Sequence, residues 1–407
     1  MDGNNISAYM NLVACHLSGK DLHQALLVLN AMRKECNPVQ LAAAAADISK
    51  VEALASAAIT KRFLLVSLDN TLESRLFTLA FTDLFGRVKG VLLDIAMPRL
   101  DCFLKHEPSG FLYGKRLPVG QNECFDGVAG SEYDAIIFID FPENGLLDGF
   151  CRLLTVKGPR KIFVNLHLAH GKGDSAASDL IAGRKLFHAL DAMFILDNDT
   201  FAANRKYGVP AGKMRKYIFS VNTGYYAPTK GSFRPYLASA GNSARDYGAL
   251  LSAMEGLNTE LRIYTDLDLK TKRTDAVNLS VHKLGGNLEL LKDELGGALA
   301  VVIPFQPAVS PAANSILTMA MSLGKVVLTN EAAALKKIVK AGVNGFFYNE
   351  DLRGDLRTKI SYILSLTKDQ RELIGARARE TVLAKADYRH LVGKVYAALR
   401  NKGLPAS

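Results

Sequence analysis

The stretch that decides the fold lies between residues 301 and 348 and reads VVIPFQPAVSPAANSILTMAMSLGKVVLTNEAAALKKIVKAGVNGFFY. It begins with a short apolar run and a polar loop, continues with an apolar helical pattern, and reaches a second apolar run after Gly324-Lys325. Short apolar runs that alternate with helical patterns are typical of parallel strands joined by helices. The stretch therefore predicts a strand-helix-strand unit of an α/β domain.

The same alternation extends over most of the chain. Its apolar runs are too hydrophobic for a sheet with one solvated face, so we expect parallel strands covered by helices on both faces. We predict an α/β protein with two Rossmann-like domains that face a cleft, preceded by an N-terminal helical hairpin. The first series of runs comprises residues 63–67, 90–94, 135–139, 161–165 and 192–196, and the second comprises 236–240, 260–264, 277–281, 300–303 and 325–328.

The length supports more than one domain, because 407 residues exceed the size at which a single core keeps growing. Gly and Pro interrupt both patterns at residues 221–231, and we place a hinge there. We predict a helical hairpin at 1–50, a first domain at 51–222, a second domain at 223–384, a helix at about 385–400 that can pack back on the first domain, and a tail at 401–407.

The N-terminal hairpin faintly resembles one repeat of the RNA-binding pentatricopeptide arrays. A lone helical repeat cannot bury both of its faces, and no second copy follows in the sequence. We therefore expect an ordinary helical hairpin and regard nucleic acid as an unlikely partner.

The composition is that of a soluble globular protein, with 49% hydrophobic and 22% charged residues. No apolar run approaches the roughly 20 residues of a membrane-spanning helix, and the N-terminus lacks a signal-peptide pattern, so we expect a cytoplasmic protein. Five cysteines without a CxxC pair argue against a disulfide framework and a zinc site. The net charge of +10 favours an anionic partner, such as a nucleotide diphosphate, an anionic lipid surface or a nucleic acid.

One candidate site follows the first strand of the second domain. Gly241 lets the backbone approach a ligand, Asn242 and Ser243 supply short donors, and Arg245 with the free amides of the next helix can hold a diphosphate. A capped turn between strand and helix, with Asp246 serving the first helical turn, explains the same residues equally well.

Two further loops of the second domain follow strands. In the first, backbone groups near His282 could read a base, and Lys283 could face a phosphate; a solvated loop is the alternative. In the second, Asn314 and Ser315 precede a helix and could donate to a phosphate or a ribose, or Ser315 simply caps the helix. Ligands of open α/β sheets collect beyond the carboxyl ends of the strands, which gives such loops their weight.

In the first domain, His167 and His170 lie beside a Gly-Lys-Gly turn after a strand. They could position an acceptor hydroxyl or steady a leaving phosphate, although a structural role for at least one is expected. The two DxD matches, at 197–199 and 266–268, are too short to indicate a metal site, and turn or cap roles explain them better. An apolar stripe with basic flanks at 72–89 suits an anionic membrane surface or, as we prefer, a helix that covers the sheet.

The second domain resembles the nucleotide-binding half of GT-B glycosyltransferases, in particular the retaining family-four group. The resemblance covers roughly residues 192–382. It rests on the loop 241–247, which is similar to that group's Gly-x-Ser-x-Arg-Asp-Tyr phosphate loop, and on 320–327, which is similar to its Ala-Met-Ala-x-Gly-Lys-Pro-Val segment. The Gly342-Val343-Asn344-Gly345-Phe346 segment and a helix at 371–379 continue in the expected order.

Two carboxylates of that group are not kept. A Glu, seven residues and a second Glu usually contact the donor sugar and the ribose, and the matching positions here are Pro311 and Met319. Neither side chain accepts a hydrogen bond from a sugar hydroxyl as a carboxylate does. The donor contacts are then rebuilt, with Asn314 and Ser315 as candidates, or activity has been lost.

The resemblance implies a metal-independent hexosyltransferase that needs no cofactor. It would move a sugar from a nucleotide diphosphate to a saccharide or lipid-linked glycan, in the synthesis of bacterial surface polysaccharide or glycoconjugates, with possible contact to the inner membrane face. The expected catalytic residues are Arg245, His167 and His170. The alternative is a catalytically silent GT-B-like protein that regulates a partner enzyme or binds a glycan.

Overall fold

The computed structural model describes most of the chain and divides it into two compact units. The first unit contains Met1–Ile195, Ala202–Arg215 and Val392–Ser407, and the second contains Leu196–Phe201 and Lys216–Leu391. The described residues are 6–18, 25, 28–29, 32–33, 36–57, 60–67, 72–86, 91–97, 116–118, 132–140, 146–164, 185–196, 208–228, 234–242, 244–269, 277–284, 288–306 and 315–400.

Three helices are described in the N-terminal segment: α1 (Ile6–Ser18), α2 (Pro38–Ala43) and α3 (Ala45–Ala57). Asn37 caps α2 in a capping box with Gln40, and Pro38 at the first helical position suits that start. The segment has a small core of its own, which includes Tyr9, Val13 and Ile48. The second helix of the predicted hairpin falls largely outside the described residues, and α2 and α3 were not predicted.

Seven strands form the sheet of the first unit: β1 (Lys61–Ser67), β2 (Val91–Met97), β3 (Arg116–Pro118), β4 (Ala135–Ile139), β5 (Arg160–Val164), β6 (Ala192–Ile195) and β7 (Met214–Lys216). Their order is β3-β2-β1-β4-β5-β6-β7. The pairs from β3 to β6 are parallel. The order steps from β1 to β4, so the topological switch point lies between these two strands.

Two helices of this unit are α4 (Leu72–Gly86) and α5 (Leu147–Thr155). The apolar stripe of α4 is buried: Phe77, Phe81 and Phe85 are each 0% exposed. Phe85 packs edge-on against Phe63 of β1 and Tyr396, with ring centroids 5.5 and 5.4 Å away. Phenylalanines four residues apart share one helix face, so the stripe covers the sheet, as preferred, and does not face a lipid surface.

Six parallel strands form the sheet of the second unit: β8 (Tyr236–Ala240), β9 (Glu260–Tyr264), β10 (Leu279–His282), β11 (Ala300–Ile303), β12 (Val326–Asn330) and β13 (Phe346–Tyr348). Their order is β10-β9-β8-β11-β12-β13, which places the switch point between β8 and β11. The helices of this unit are α6 (Tyr247–Met254), α7 (Leu288–Gly297), α8 (Ser315–Ser322), α9 (Asp355–Ser365) and α10 (Lys368–Lys385). The last helix, α11 (Tyr388–Arg400), begins in the second unit and belongs to the first unit from Val392 onward.

The predicted strand-helix-strand unit at residues 301–348 is present as β11, α8 and β12. Residues 316–322 of α8 are all buried, so this helix has no solvated face. Gly324 follows α8 with a φ of +71°. A Cβ on Gly375 of α10 would lie only 1.9 Å from the Gly324 carbonyl oxygen, so glycine lets the two segments touch. Gly324 and Lys325 thus lie at the amino end of β12, away from the edge where ligands collect.

The predicted strand 277–281 is displaced in the structure. β10 begins at Leu279 and extends to His282, because Val281 and His282 continue the parallel register with Ile263 and Tyr264 of β9. His282 is therefore the last residue of a strand and not part of the following loop.

The start of the predicted hinge is fastened within the second unit. Val221 N–H donates to the Ala386 carbonyl at 2.8 Å, and Tyr388 N–H donates to the Val221 carbonyl at 3.1 Å. The Thr223 hydroxyl donates to the buried carboxylate of Asp387. Whether the segment acts as a hinge stays a prediction. Among the described residues, no helix has both the length and the apolarity needed to cross a bilayer.

Candidate functional site

The ends of three neighbouring strands in the second unit are joined into one polar strip. Gly241, after β8, donates its N–H to the Tyr264 carbonyl at 3.1 Å, and Thr265, after β9, donates to the carbonyl of His282 at 2.9 Å. The Thr265 hydroxyl also donates to the Gly241 carbonyl at 3.0 Å. We call Gly241, Asn242, Thr265, Asp266 and His282 the strand-end strip.

Gly241 is required at its position for two reasons. Its φ is +122°, a conformation that side chains rarely adopt. A Cβ at this position would also lie 2.7 Å from Nη2 of Arg245, so the guanidinium rests directly against the glycine. The loop therefore combines close backbone approach with a buried positive charge.

Arg245 lies beneath this loop and is only 8% exposed. Its Nε donates to the Ala240 carbonyl at 3.0 Å, and its guanidinium carbon lies 4.4 Å from the ring centroid of Phe305. Burial lowers the pKa of Arg245 to about 10, so the group stays charged at neutral pH. The arginine contributes positive potential to the loop from below, while its Nε is engaged with the protein's own backbone.

The loop ends at α6. The Asp246 carboxylate caps the helix by accepting a hydrogen bond from Ala249 N–H at 2.9 Å, as the capped-turn alternative predicts. The Tyr247 hydroxyl donates to the Gly241 carbonyl at 2.7 Å and so fixes the loop from the opposite side. Burial raises the pKa of Tyr247 to about 12, which keeps this donor protonated.

Asn242 and Asp266 bond to each other across β8 and β9. The Asn242 amide donates to the Asp266 carboxylate at 2.8 Å, and Asp266 N–H donates back to the Asn242 side-chain oxygen at 2.7 Å. Asp266 belongs to the second DxD match, but in the described part of the chain no group of three or more metal-binding side chains is found.

His282 and Lys283 are both exposed at the end of β10. The His282 ring stacks on Tyr264 with centroids 5.1 Å apart and an angle of 14° between the planes. Tyr264 itself is buried. The pair thus forms a supported aromatic surface next to the loop that contains Gly241.

Ser315 is the first residue of α8 and is half-buried, and its carbonyl accepts a hydrogen bond from Thr318. Met319, at one of the missing carboxylate positions, is 2% exposed inside this helix. The predicted site residues Ser243, Asn314, His167 and His170, together with Pro311, lie outside the described residues.

Asp140 in the first unit is a candidate site residue that was not predicted from the sequence. Asp140 directly follows β4, has a φ of 64° and is 5% exposed. A left-handed conformation is uncommon for a residue other than glycine and often marks a functional position. Ser67 ends β1 and is paired with Ile139, so two buried polar residues lie at the switch point of this sheet. The sequence signal that could have identified Asp140 is its place directly after the apolar run 135–139.

No protein-family model and no curated protein matches the chain by sequence. Solved structures do match. A glycosyltransferase from Rickettsia africae is similar with a TM-score of 0.60 and 13% identity, over 84% of this chain and 99% of that protein. Anabaena HepE, crystallised with UDP and glucose, is similar with a TM-score of 0.58 and 11% identity, over 83% and 99% of the two chains.

Sucrose-phosphate synthase from Thermosynechococcus elongatus is similar with a TM-score of 0.56 and 14% identity, over 83% of this chain and 99% of that one. Identities this low establish the fold alone. The chain therefore has the α/β GT-B fold that is found in glycosyltransferases.

Proposed function

We propose that the protein is a glycosyltransferase that moves a sugar from a nucleotide diphosphate to a hydroxyl group of a saccharide or lipid-linked acceptor. The observation that carries the proposal is the loop after β8, at the switch point of the second sheet. There, the positive φ of Gly241 and its missing side chain leave room for a ligand to approach the backbone, and Arg245 adds a buried charge. The amino end of α6, where Asp246 caps Ala249 N–H, adds the positive end of the helix dipole, which favours anions.

The proposed chemistry uses this loop to stabilise the leaving diphosphate. The buried cation and the helix dipole act where negative charge develops when the bond between the donor sugar and the diphosphate breaks. A metal ion is then not needed, and we expect transfer to persist in EDTA. Because Met319 is buried where the family-four group has a carboxylate, the retaining outcome implied by the resemblance stays open to measurement.

We further propose that the donor sugar is a hexose and that the protein acts in bacterial surface polysaccharide or glycoconjugate synthesis. We place it in the cytoplasm, in peripheral contact with the membrane. These assignments are supported by the resemblance in the second domain and by the net charge of +10, which favours anionic surfaces. HepE was crystallised with UDP, so uridine nucleotides are the first ones to test.

The second candidate is a catalytically silent GT-B-like protein that binds and regulates a partner. Met319 favours it, because this side chain is buried in a helix with residues 316–322 all buried. Position 319 therefore offers no exposed polar group that could replace the carboxylate of the family-four enzymes.

Thermal shift with uridine, guanosine and adenosine diphosphates and their sugar conjugates tests the proposal, because a ligand of the native state raises the unfolding temperature. We expect a shift with at least one nucleotide and slow hydrolysis of its sugar conjugate. Binding without hydrolysis or transfer would support the silent protein, and no shift with any nucleotide would contradict both nucleotide-binding assignments.

Gly241→Ala provides the variant and Gly256→Ala the matched control. Both glycines have a positive φ, but a Cβ at Gly256 meets nothing within 4 Å, whereas one at Gly241 meets the Arg245 guanidinium. We expect Gly241→Ala to abolish the nucleotide-induced shift and Gly256→Ala to keep it. An equal shift in both variants would show that this loop does not bind the nucleotide.

A further inference from the structure

Asp266 occupies the middle of the strand-end strip. The strands run in the order β10-β9-β8, so His282, Asp266 and Gly241 follow one another along the edge of the sheet. Hydrogen bonds connect all three ends: Thr265 N–H donates to the His282 carbonyl, and Asp266 N–H donates to the Asn242 side-chain oxygen. The strip is therefore one continuous surface.

The length of this strip suits a nucleoside diphosphate. Neighbouring strands lie about 4.8 Å apart, so the ends of β8 and β10 are separated by roughly 10 Å. That span matches the distance from the base to the phosphates of an extended nucleotide. With the diphosphate at the Gly241 loop, the ribose falls at the end of β9 and the base at the end of β10.

The side chains along the strip match the chemistry of these three groups. The exposed ring of His282, supported by Tyr264, offers a flat surface on which a base can stack. Asp266 has an exposed carboxylate, which only accepts hydrogen bonds when ionised and suits a ribose hydroxyl. The same carboxylate would repel a phosphate, so it fits the ribose position only.

The spacing along the chain agrees with this placement. In doubly wound sheets that bind dinucleotides, an acidic residue after the second strand bonds the ribose 2′-hydroxyl, about 20 residues beyond the glycine loop. Asp266 follows the second strand of this sheet, 25 residues after Gly241 (266 − 241 = 25). Asn242 holds the carboxylate at 2.8 Å and so limits its rotation.

We propose that Asp266 accepts a hydrogen bond from the ribose 2′-hydroxyl of the bound nucleotide and makes the protein select ribonucleotides over 2′-deoxyribonucleotides. The inference rests on the proposed function, since it requires a nucleoside diphosphate on the strip. In the family-four group a Glu at the position of Met319 contacts the ribose. Because Met319 is buried, the ribose contact is assigned instead to Asp266 after β9.

Calorimetric titration of the full chain with UDP, GDP and ADP, each beside its 2′-deoxy analogue, tests the proposal. We expect the tightest of the three to bind about tenfold better than its 2′-deoxy analogue, as for loss of one hydrogen bond to a charged group. In Asp266→Ala the ratio should fall to about one. In Asp268→Ala, an equally exposed aspartate two residues away, it should stay at about ten.

The outcomes separate this inference from the proposed function. Binding of no nucleoside diphosphate would overturn both. A wild-type ratio near one, or an unchanged ratio in Asp266→Ala, would overturn the role of Asp266 and leave the nucleotide site in place. An equal fall in both variants would show a general charge effect and contradict the ribose contact. A wild-type ratio near one would overturn the inference without any variant, so the proposal can still be refuted if Asp266→Ala does not fold.

Discussion

At the scale of single residues, burial decides what a charged side chain can do. Arg245 was predicted as a phosphate ligand, and the structure places it under the Gly241 loop with its Nε bound to a backbone carbonyl. Lys325 belongs to the segment that resembles the glycosyltransferase motif, yet it is 7% exposed at the amino end of β12. Residue type indicated charge in both cases, while only the packing showed where the charge acts.

Lys325 should make stability depend on pH. Burial lowers its pKa to about 8, and Glu372 partly opposes that shift. Between about pH 8 and the unfolded pKa near 10.5 the unfolded chain binds more protons, so unfolding free energy from this group rises with pH. We expect Lys325→Met to raise the free energy of unfolding at pH 7 by about 3 kcal/mol, with the gain vanishing above about pH 10.5.

Urea denaturation at several pH values measures this difference. Lys336→Met is the control, because Lys336 is exposed and pairs with Glu331 on the surface. A gain for Lys325→Met that does not change with pH would assign the effect to packing and not to the charge.

At the scale of elements, one backbone contact fixes the position of the turn between α8 and β12. The turn after α8 touches α10 through Gly324 and Gly375, and α10 begins with a capping box formed by Thr367 and Gln370. A close approach of two backbones tolerates no side chain between them. Glycine in a helix costs about 1 kcal/mol relative to alanine, so the contact must outweigh that cost.

Gly375→Ala should therefore destabilise the second unit, although alanine favours helix. The added methyl group would meet the Gly324 carbonyl, and we expect a loss of about 3 kcal/mol or more from overpacking. Ala376→Ser is the matched control, because the neighbouring Ala376 is exposed, and should change stability by less than about 0.5 kcal/mol. Thermal unfolding compares the two variants, and similar midpoints for both would refute the contact's importance.

At the scale of the whole molecule, each compact unit is built from segments that are not continuous in sequence. The second unit ends at Leu391, and the chain from Val392 onward belongs to the first unit although it is last in sequence. Within the first unit, the Arg160 guanidinium donates to the Leu399 carbonyl at 2.9 Å, and Tyr396 packs on Phe85. The stability of the first unit thus includes the end of the chain.

A substitution in α11 should then weaken the first unit. Val395 is 0% exposed, and we expect Val395→Ala to lower the free energy of unfolding by about 1–2 kcal/mol and to accelerate proteolysis within residues 61–195. Lys394→Ala, at the exposed neighbouring position, should leave both unchanged. Faster cleavage confined to residues 234–391 would contradict this assignment of the helix.

The sequence by itself determined the fold class and most of the strands. The runs at 135–139, 236–240, 260–264 and 300–303 became strands with the predicted bounds. In 135–139 and 300–303 every residue is apolar and buried, as a strand covered on both faces requires. The sequence also indicated the loop at Gly241, since a glycine between a strand and a helix often adopts a positive φ that other residues avoid.

Only the tertiary structure decided which polar residues meet. The reciprocal bonds of Asn242 and Asp266, the stacking of His282 on Tyr264 and the buried, left-handed Asp140 depend on strand order and register. These residues are separated along the chain, and a local sequence pattern does not indicate which strand ends become neighbours. Apolar periodicity is a local property and can be read from sequence, whereas a site is formed by long-range pairing and must be seen in the fold.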